Sequence, residues 1–237
     1  MGNLVDKNQL GWCERMKTRM DRQIEVESGK ARLPGMLVVP QGAQGMVLFA
    51  HGSGSGRFSP RNQFVAGVLR EAGLGTLLID LLETWESEDR SKVFDIDLLS
   101  ERLMGATEWL RANDGTSTLS IGYFGASTGA AAALQAAAAL GDEIDAIVSR
   151  GGRPDLAMPY LRQVTAPTLL IVGGHDYSVI PLNQQAYDSM TCVKELAIVP
   201  GATHLFEEPG TLEEVARLAA GWFGKYPARG EEITGLA

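Results

Sequence analysis

The chain has 237 residues, a formal net charge of −8, 45% hydrophobic content and 21% charged residues. The acidic balance argues against a nucleic-acid or anionic-membrane surface, no apolar run approaches the roughly 20 residues that cross a bilayer, and the start of the chain shows no basic-then-apolar signal segment. Two widely separated cysteines, Cys13 and Cys192, fit free thiols in a reducing compartment, so the expectation is a soluble cytoplasmic protein with enough apolar content for a sizeable core.

Residues 1–21 are polar and mixed, with Leu10, Cys13, Met16 and Met20 at helical spacing; this predicts a short N-terminal helical extension ahead of a single domain over 22–237. Ile24 and Val26, then Met36 and Val38, alternate on either side of Ser28-Gly29-Lys30, which predicts an antiparallel hairpin. Met46 to Ala50 is a continuous apolar run of the kind a strand buried on both faces requires. From there strands and helices alternate. Ser59 and Pro60 are a cap and first-turn pair for a helix with Phe64, Val65, Val68 and Leu69 on one face and Gly73 at its end. Thr76 to Asp80 is the next strand, a polar insertion runs from Glu83 to Ser91, and a helix near Asp97–Arg111 turns Leu99, Leu103 and Leu110 inward. Further strands are predicted at Ile144–Ser149, Pro167–Val172 and Glu195–Val199, with a helix at Pro181–Met190. The last helix starts at Thr211, with Glu214 spaced as a capping box. This alternation builds a mostly parallel sheet with helices on both faces, and such sheets bind ligands at the carboxyl ends of their strands.

Between the helix near Asp97–Arg111 and the strand at Ile144–Ser149 lies Leu119-Ser120-Ile121-Gly122-Tyr123-Phe124-Gly125-Ala126-Ser127-Thr128-Gly129, followed by an alanine-rich run to Leu140. Its period-two apolar residues followed by strong helix formers read as strand, sharp turn and helix, with Ser127 at the corner. Gly125 and Gly129 remove side chains that would clash there, which is the logic of a Gly-x-Ser-x-Gly nucleophile elbow. A serine hydroxyl needs a base, and the base needs a third group to hold its tautomer. With the chain order serine, acid, histidine, only His204 follows comfortably; Asp176 is the acid and Asp155 its reserve. The glycine-rich loop His51-Gly52-Ser53-Gly54-Ser55-Gly56-Arg57 offers backbone N–H groups for an oxyanion hole; Ser53, with Gly54 beside it, is expected to join the Thr128 N–H. His51 is expected to fix that loop. Gly54 and Arg57 are expected to face substrate, and Arg61, Arg150 and Arg153 are further candidates for a substrate carboxylate. Glu83 and Glu86 are weaker ones; Trp85 is the one candidate in the insertion for an aromatic cover over the pocket, its ordinary role being to anchor the insertion onto the core.

These four segments, His51-Gly52-Ser53-Gly54, Gly125 to Gly129, Gly174-His175-Asp176 and Gly201-Ala202-Thr203-His204, resemble the α/β-hydrolase superfamily, in particular its dienelactone-hydrolase-like branch, over about residues 22–225. The resemblance implies an α/β-hydrolase fold with little or no lid. It also implies Ser127 as nucleophile, His204 as base and then acid, and Asp176 as its orienter. The chain departs from dienelactone hydrolase proper in carrying serine where that enzyme has cysteine. No segment resembling the phosphoribosyltransferases sometimes joined to such hydrolases stands out. The expected activity is hydrolysis of small carboxylic esters, without metal or organic cofactor. The expected partner is a small-molecule ester, with no nucleic acid or membrane, and self-assembly is compatible with the sequence. Thioester or peptide cleavage by the same groups, and a non-catalytic binding module on the same scaffold, are the alternatives. The segment between Ile144 and Pro167 has room for only a short helix, which implies a small or open pocket.

Overall fold

The structure, a computed structural model, describes residues 18–226. Eight strands form one sheet in the order β1-β2-β4-β3-β5-β6-β7-β8. β1 (Thr18–Ser28) and β2 (Ala31–Pro40) form the expected hairpin, closed by Gly29 and Lys30, where glycine supplies the φ of +60° that a two-residue turn demands. β2 joins the rest of the sheet antiparallel, pairing Leu37 with Leu77 of β4 (Gly75–Ile79). The other pairings, among β3 (Gly45–Ala50), β4, β5 (Ser120–Ala126), β6 (Ala146–Arg150), β7 (Thr168–Gly173) and β8 (Lys194–Val199), are parallel.

Within each central strand successive side chains point to opposite faces, so each continuous apolar run feeds two cores. Leu48, Leu77, Ile121 and Tyr123 pack against α3 (Ile96–Ala112), α4 (Thr128–Leu140) and α5 (Ile180–Ser189). Val47, Phe49, Phe124 and Val148 face α1 (Pro60–Glu71) and α6 (Thr211–Lys225), with the Phe49 and Phe124 rings 4.9 Å apart. The alanines of α4 from Ala130 to Ala137 are all buried, and this helix lies close on the strands because nothing longer stands between them.

Four expectations need correction. Residues 18–21 belong to β1, not to a helix, and Met20 pairs with Val39; Leu10, Cys13 and Met16 lie outside the described residues. On α1 the buried face is Asn62, Val65, Ala66 and Leu69, while Phe64 is 40% exposed, one step around the helix from the core. The cap of α6 is Gly210 at φ +81°; the Thr211 hydroxyl donates back to the Glu208 carbonyl and Glu214 pairs with Arg217, so no capping box forms. Trp85 is 62% exposed and does not tuck into the core; its contacts, to Glu83 and Lys92, stay within the insertion and the short helix after it. The insertion is held instead by Glu86, buried against Arg102 of α3 in a two-pronged ion pair, with Lys92 of the short α2 (Arg90–Val93) at 2.9 Å. Cys192 is a free, half-buried thiol, and burial pushes its pKa up. Among the described residues no helix is long and apolar enough to cross a membrane.

Candidate active site

The parallel registers bring the carboxyl ends of the strands to a common rim. Ala50 ends β3 opposite Gly125, Ala126 faces Arg150, and Gly173 faces Val199. The segments that follow these residues hold Ser53, Gly54 and Arg57, Ser127 with Thr128 opening α4, Asp176 and His204.

Ser127 occupies the β5–α4 corner at φ +50°, ψ −120°, a backbone region costly for any side chain. Three hydrogen bonds overdetermine it. Its N–H donates to the Arg150 carbonyl (3.3 Å), and its own carbonyl accepts from the N–H groups of Ala130 (3.1 Å) and Arg153 (3.0 Å). The glycines around it are needed for space: a Cβ at Gly125 would stand 2.5 Å from the Ala130 Cα, one at Gly52 would stand 2.9 Å from the Ser127 Cβ, and one at Gly129 would run into the Ala50 carbonyl.

Asp176 and His204 meet across the loops after β7 and β8. The Asp176 Oδ2 lies 2.6 Å from His204 Nδ1, with Asp176 only 7% exposed and the histidine side chain 38% exposed. The Asp176 side chain does not cap α5, whose N-cap is Val179 and which has no side-chain cap bond. The histidine loop is braced by Glu208, which accepts from the Thr203 N–H (3.0 Å) and hydroxyl (2.7 Å), and by Phe206, whose buried ring holds its backbone at φ +55°. A Cβ on Gly151 would lie 3.6 Å from His204 Nδ1, so the imidazole sits against the residue that follows Arg150, whose carbonyl holds the Ser127 N–H. Nucleophile candidate and histidine are thereby fixed to one short stretch of backbone. The reserve acid Asp155 is spent on a two-pronged pair with Arg153, both contacts at 2.8 Å.

His51 fixes the loop as expected. Its Nε2 accepts from the Leu81 N–H (3.0 Å), which leaves Nδ1 protonated and donating to the Gly52 carbonyl (3.0 Å). Burial lowers its pKa from the ordinary 6.5 and keeps the ring neutral, though the Gly52 bond and Asp80 act the other way.

Two assignments made from the sequence change. The Ser53 N–H, expected to face an oxyanion, donates to the Thr128 hydroxyl at 3.1 Å. The Arg57 guanidinium pairs with Asp80, which also accepts the Arg57 N–H, and it lies 4.2 Å from the centroid of the Phe58 ring. Gly54, at φ +68°, lines a cavity of about 280 Å³ together with Gly52, Ser53, Thr128, Leu82 and Val93. A second cavity of about 440 Å³ shares His51, Ser55, Leu82 and Ser87 with the first and reaches Glu83 and Trp85. Arg61 is held by Glu207 at 2.9 Å. Arg150 is buried with no acidic partner among the described residues; burial, then the charge of Arg61, push its pKa down to about 10. Sequence reasoning missed the Glu86–Arg102 pair, whose only signal was an acidic residue inside a polar insertion and an arginine on an otherwise apolar helix face.

A sequence model of the family described as "Dienelactone hydrolase family" matches residues 85–222. The structure is similar to a crystal structure of dienelactone hydrolase from Anabaena variabilis, with 55% identity, TM-score 0.85, and coverage of 88% of this chain and 98% of that one. An esterase from Pyrococcus furiosus shares the fold at 16% identity and TM-score 0.73, covering 96% of each chain. Two Mycobacterium tuberculosis proteins, each named "Putative phosphoribosyl transferase", are 55% identical over 203 residues, 86% of this chain and 46% of their own length. The chain thus spans about half the length of the curated relatives it matches.

Proposed function

Because the chain belongs to the dienelactone hydrolase family and has the α/β-hydrolase fold, we propose that it is a serine hydrolase of small carboxylic esters, using Ser127, His204 and Asp176 as its catalytic triad. The observation that carries the reading is the 2.6 Å contact between Asp176 and His204, with the imidazole seated against Gly151, the residue after the Arg150 whose carbonyl accepts the Ser127 N–H.

The carboxylate binds the Nδ1 proton and so leaves Nε2 as the acceptor a hydroxyl needs. Ser127 Oγ attacks the ester carbonyl carbon and its proton passes to His204 Nε2. The carbonyl π pair moves onto oxygen, and the first turn of α4, with the Thr128 N–H and the positive end of the helix dipole, stabilises that charge. The pair then returns, the alcohol leaves with the proton from His204, and a water molecule repeats the sequence on the acyl-enzyme. The buried Asp176 holds the imidazolium that forms. A cavity of about 280 Å³ at Thr128, walled by Leu82 and Val93, favours short acyl groups.

The test is turnover of p-nitrophenyl esters of graded chain length, with acyl-thioesters and aminoacyl amides alongside. Acetyl to butyryl esters are expected to lead the panel. Ser127→Ala is expected to lose at least about 10³-fold in kcat and all labelling by a fluorophosphonate. Labelling that survives in Ser127→Ala, or a preference for long fatty-acyl chains, overturns the corresponding part of the proposal.

A further inference from the structure

The Ser53–Thr128 hydrogen bond assigns a task to a side chain that sequence reasoning used only for its backbone. The Thr128 hydroxyl accepts the Ser53 N–H at 3.1 Å, and no acceptor among the described residues takes its own proton. Thr128 is 98% buried from the bulk, its residue exposure being 2%, yet it lines the cavity beside Gly52, Ser53 and Gly54. It is also the first residue of α4 and follows Ser127 directly, so its N–H belongs to the helix end that has no partner inside the helix.

We infer that the Thr128 hydroxyl donates to the oxyanion, so that one residue supplies two donors, its N–H and its O–H, while the Ser53 N–H acts behind it. This rests on the ester-hydrolase reading above. A hydroxyl that receives a hydrogen bond from an amide is polarised into a stronger donor, and the chain Ser53 N–H, Thr128 O–H, oxyanion runs in one direction. The Ser53 bond also selects the rotamer, since a threonine in a helix otherwise divides between two. The arrangement costs no reorganisation at the moment of reaction: the hydroxyl proton needs only to rotate about the Cβ–Oγ bond. When Ser127 Oγ adds to the carbonyl carbon, the π pair on oxygen is met by that proton. When the pair returns and the alcohol departs with the proton held by His204, the threonine keeps its own. No net proton is exchanged with Thr128.

Thr128→Val keeps the shape and removes the hydroxyl, Thr128→Ala removes it with less bulk at the corner, and Thr128→Ser restores it. With a short p-nitrophenyl ester, Val and Ala are expected to lower kcat by on the order of 10²-fold, with KM within about threefold of the parent, and Ser to recover to within about tenfold. The second readout is the hemiketal that Ser127 forms with a trifluoromethyl ketone, whose ionisation is followed by carbon-13 NMR. Removing the hydroxyl is expected to move that ionisation to higher pH. Unchanged or faster turnover in Thr128→Val overturns the inference, because it means the freed Ser53 N–H is the donor and the threonine merely occupied it. A fall in kcat accompanied by a lower melting temperature and an unmoved hemiketal ionisation also overturns it, leaving Thr128 as a brace for the loop. If the parent protein neither turns over esters nor forms the hemiketal, the ester-hydrolase reading itself fails instead.

Discussion

Ser127 is held at φ +50° by three hydrogen bonds and a ring of glycines, and the strain follows from its position at the corner, not from its side chain's chemistry. Glycine adopts that backbone region at little cost, whereas alanine relieves nothing. Ser127→Gly is therefore expected to abolish ester turnover and yet stabilise the fold by about 1 kcal/mol, raising the melting temperature by roughly 2–4 °C, with Ser127→Ala near the parent value. Scanning calorimetry of the three proteins decides it; a glycine variant less stable than the alanine one contradicts the strain argument. At this scale the sequence was legible where a residue's role depends on its immediate neighbours. The elbow, the Asp176 and His204 loops and the Ser59 cap are all local patterns. Arg57 was not legible, since Asp80 lies 23 residues away and becomes a neighbour only once β3 and β4 pair. The Ser53 N–H was missed for the same reason: its acceptor is 75 residues further along the chain.

Among the elements, the insertion between β4 and α3 departs furthest from its sequence reading. Charged residues in a loop are ordinarily solvated, and nothing in Glu83 to Ser91 distinguishes Glu86 from its neighbours. It is buried all the same because Arg102, on the inner side of α3, bonds both its carboxylate and the Leu81 carbonyl. Burial alone raises a carboxyl pKa; hydrogen bonds from Arg102, the Glu83 N–H and Lys92 outweigh it and bring Glu86 to about 2, below the ordinary 4.5. A folded-state value below the unfolded one means that the unfolded chain binds more protons. The contribution is therefore complete above pH 4.5 and declines as pH falls toward 2. Glu86→Ala leaves the Arg102 guanidinium buried without its partner and is expected to cost about 3–5 kcal/mol by urea denaturation at pH 7, with a smaller deficit at pH 3. Equal deficits at the two pH values would contradict the assignment. Helix ends were the other weak point of the sequence reading: Thr211 and Glu214 have capping-box spacing, but Gly210 at φ +81° takes the cap position and sends the threonine hydroxyl backwards.

For the whole molecule, the decisive fact is that the site draws on chain positions from His51 to His204. The order of strands and helices was legible because buried parallel strands leave continuous apolar runs, and the hairpin was legible from its alternation. Which loops would meet, and at what register, depends on the pairing of β3, β5, β6, β7 and β8, which no local pattern encodes. Loops so widely separated keep their geometry only while the sheet is intact. Loss of the proposed esterase activity in urea is thus expected to coincide with the change in fluorescence of Trp222, which lies 5% exposed on the sheet-facing side of α6. Activity that disappears at lower urea than the fluorescence transition would mean that the rim opens before the sheet does.

The latched insertion also bears on how the substrate range of such a protein can change. Leu82, Ser87 and Val93 wall the cavity from a segment tied to the scaffold mainly at Glu86, whereas the alanine helix beneath Ser127 has no spare volume for substitution. Diversity introduced at Ser87 and Val93, with the latch and the buried Leu82 left alone, should retune acyl preference at little cost in folding, and libraries aimed at the helix should yield mostly misfolded variants.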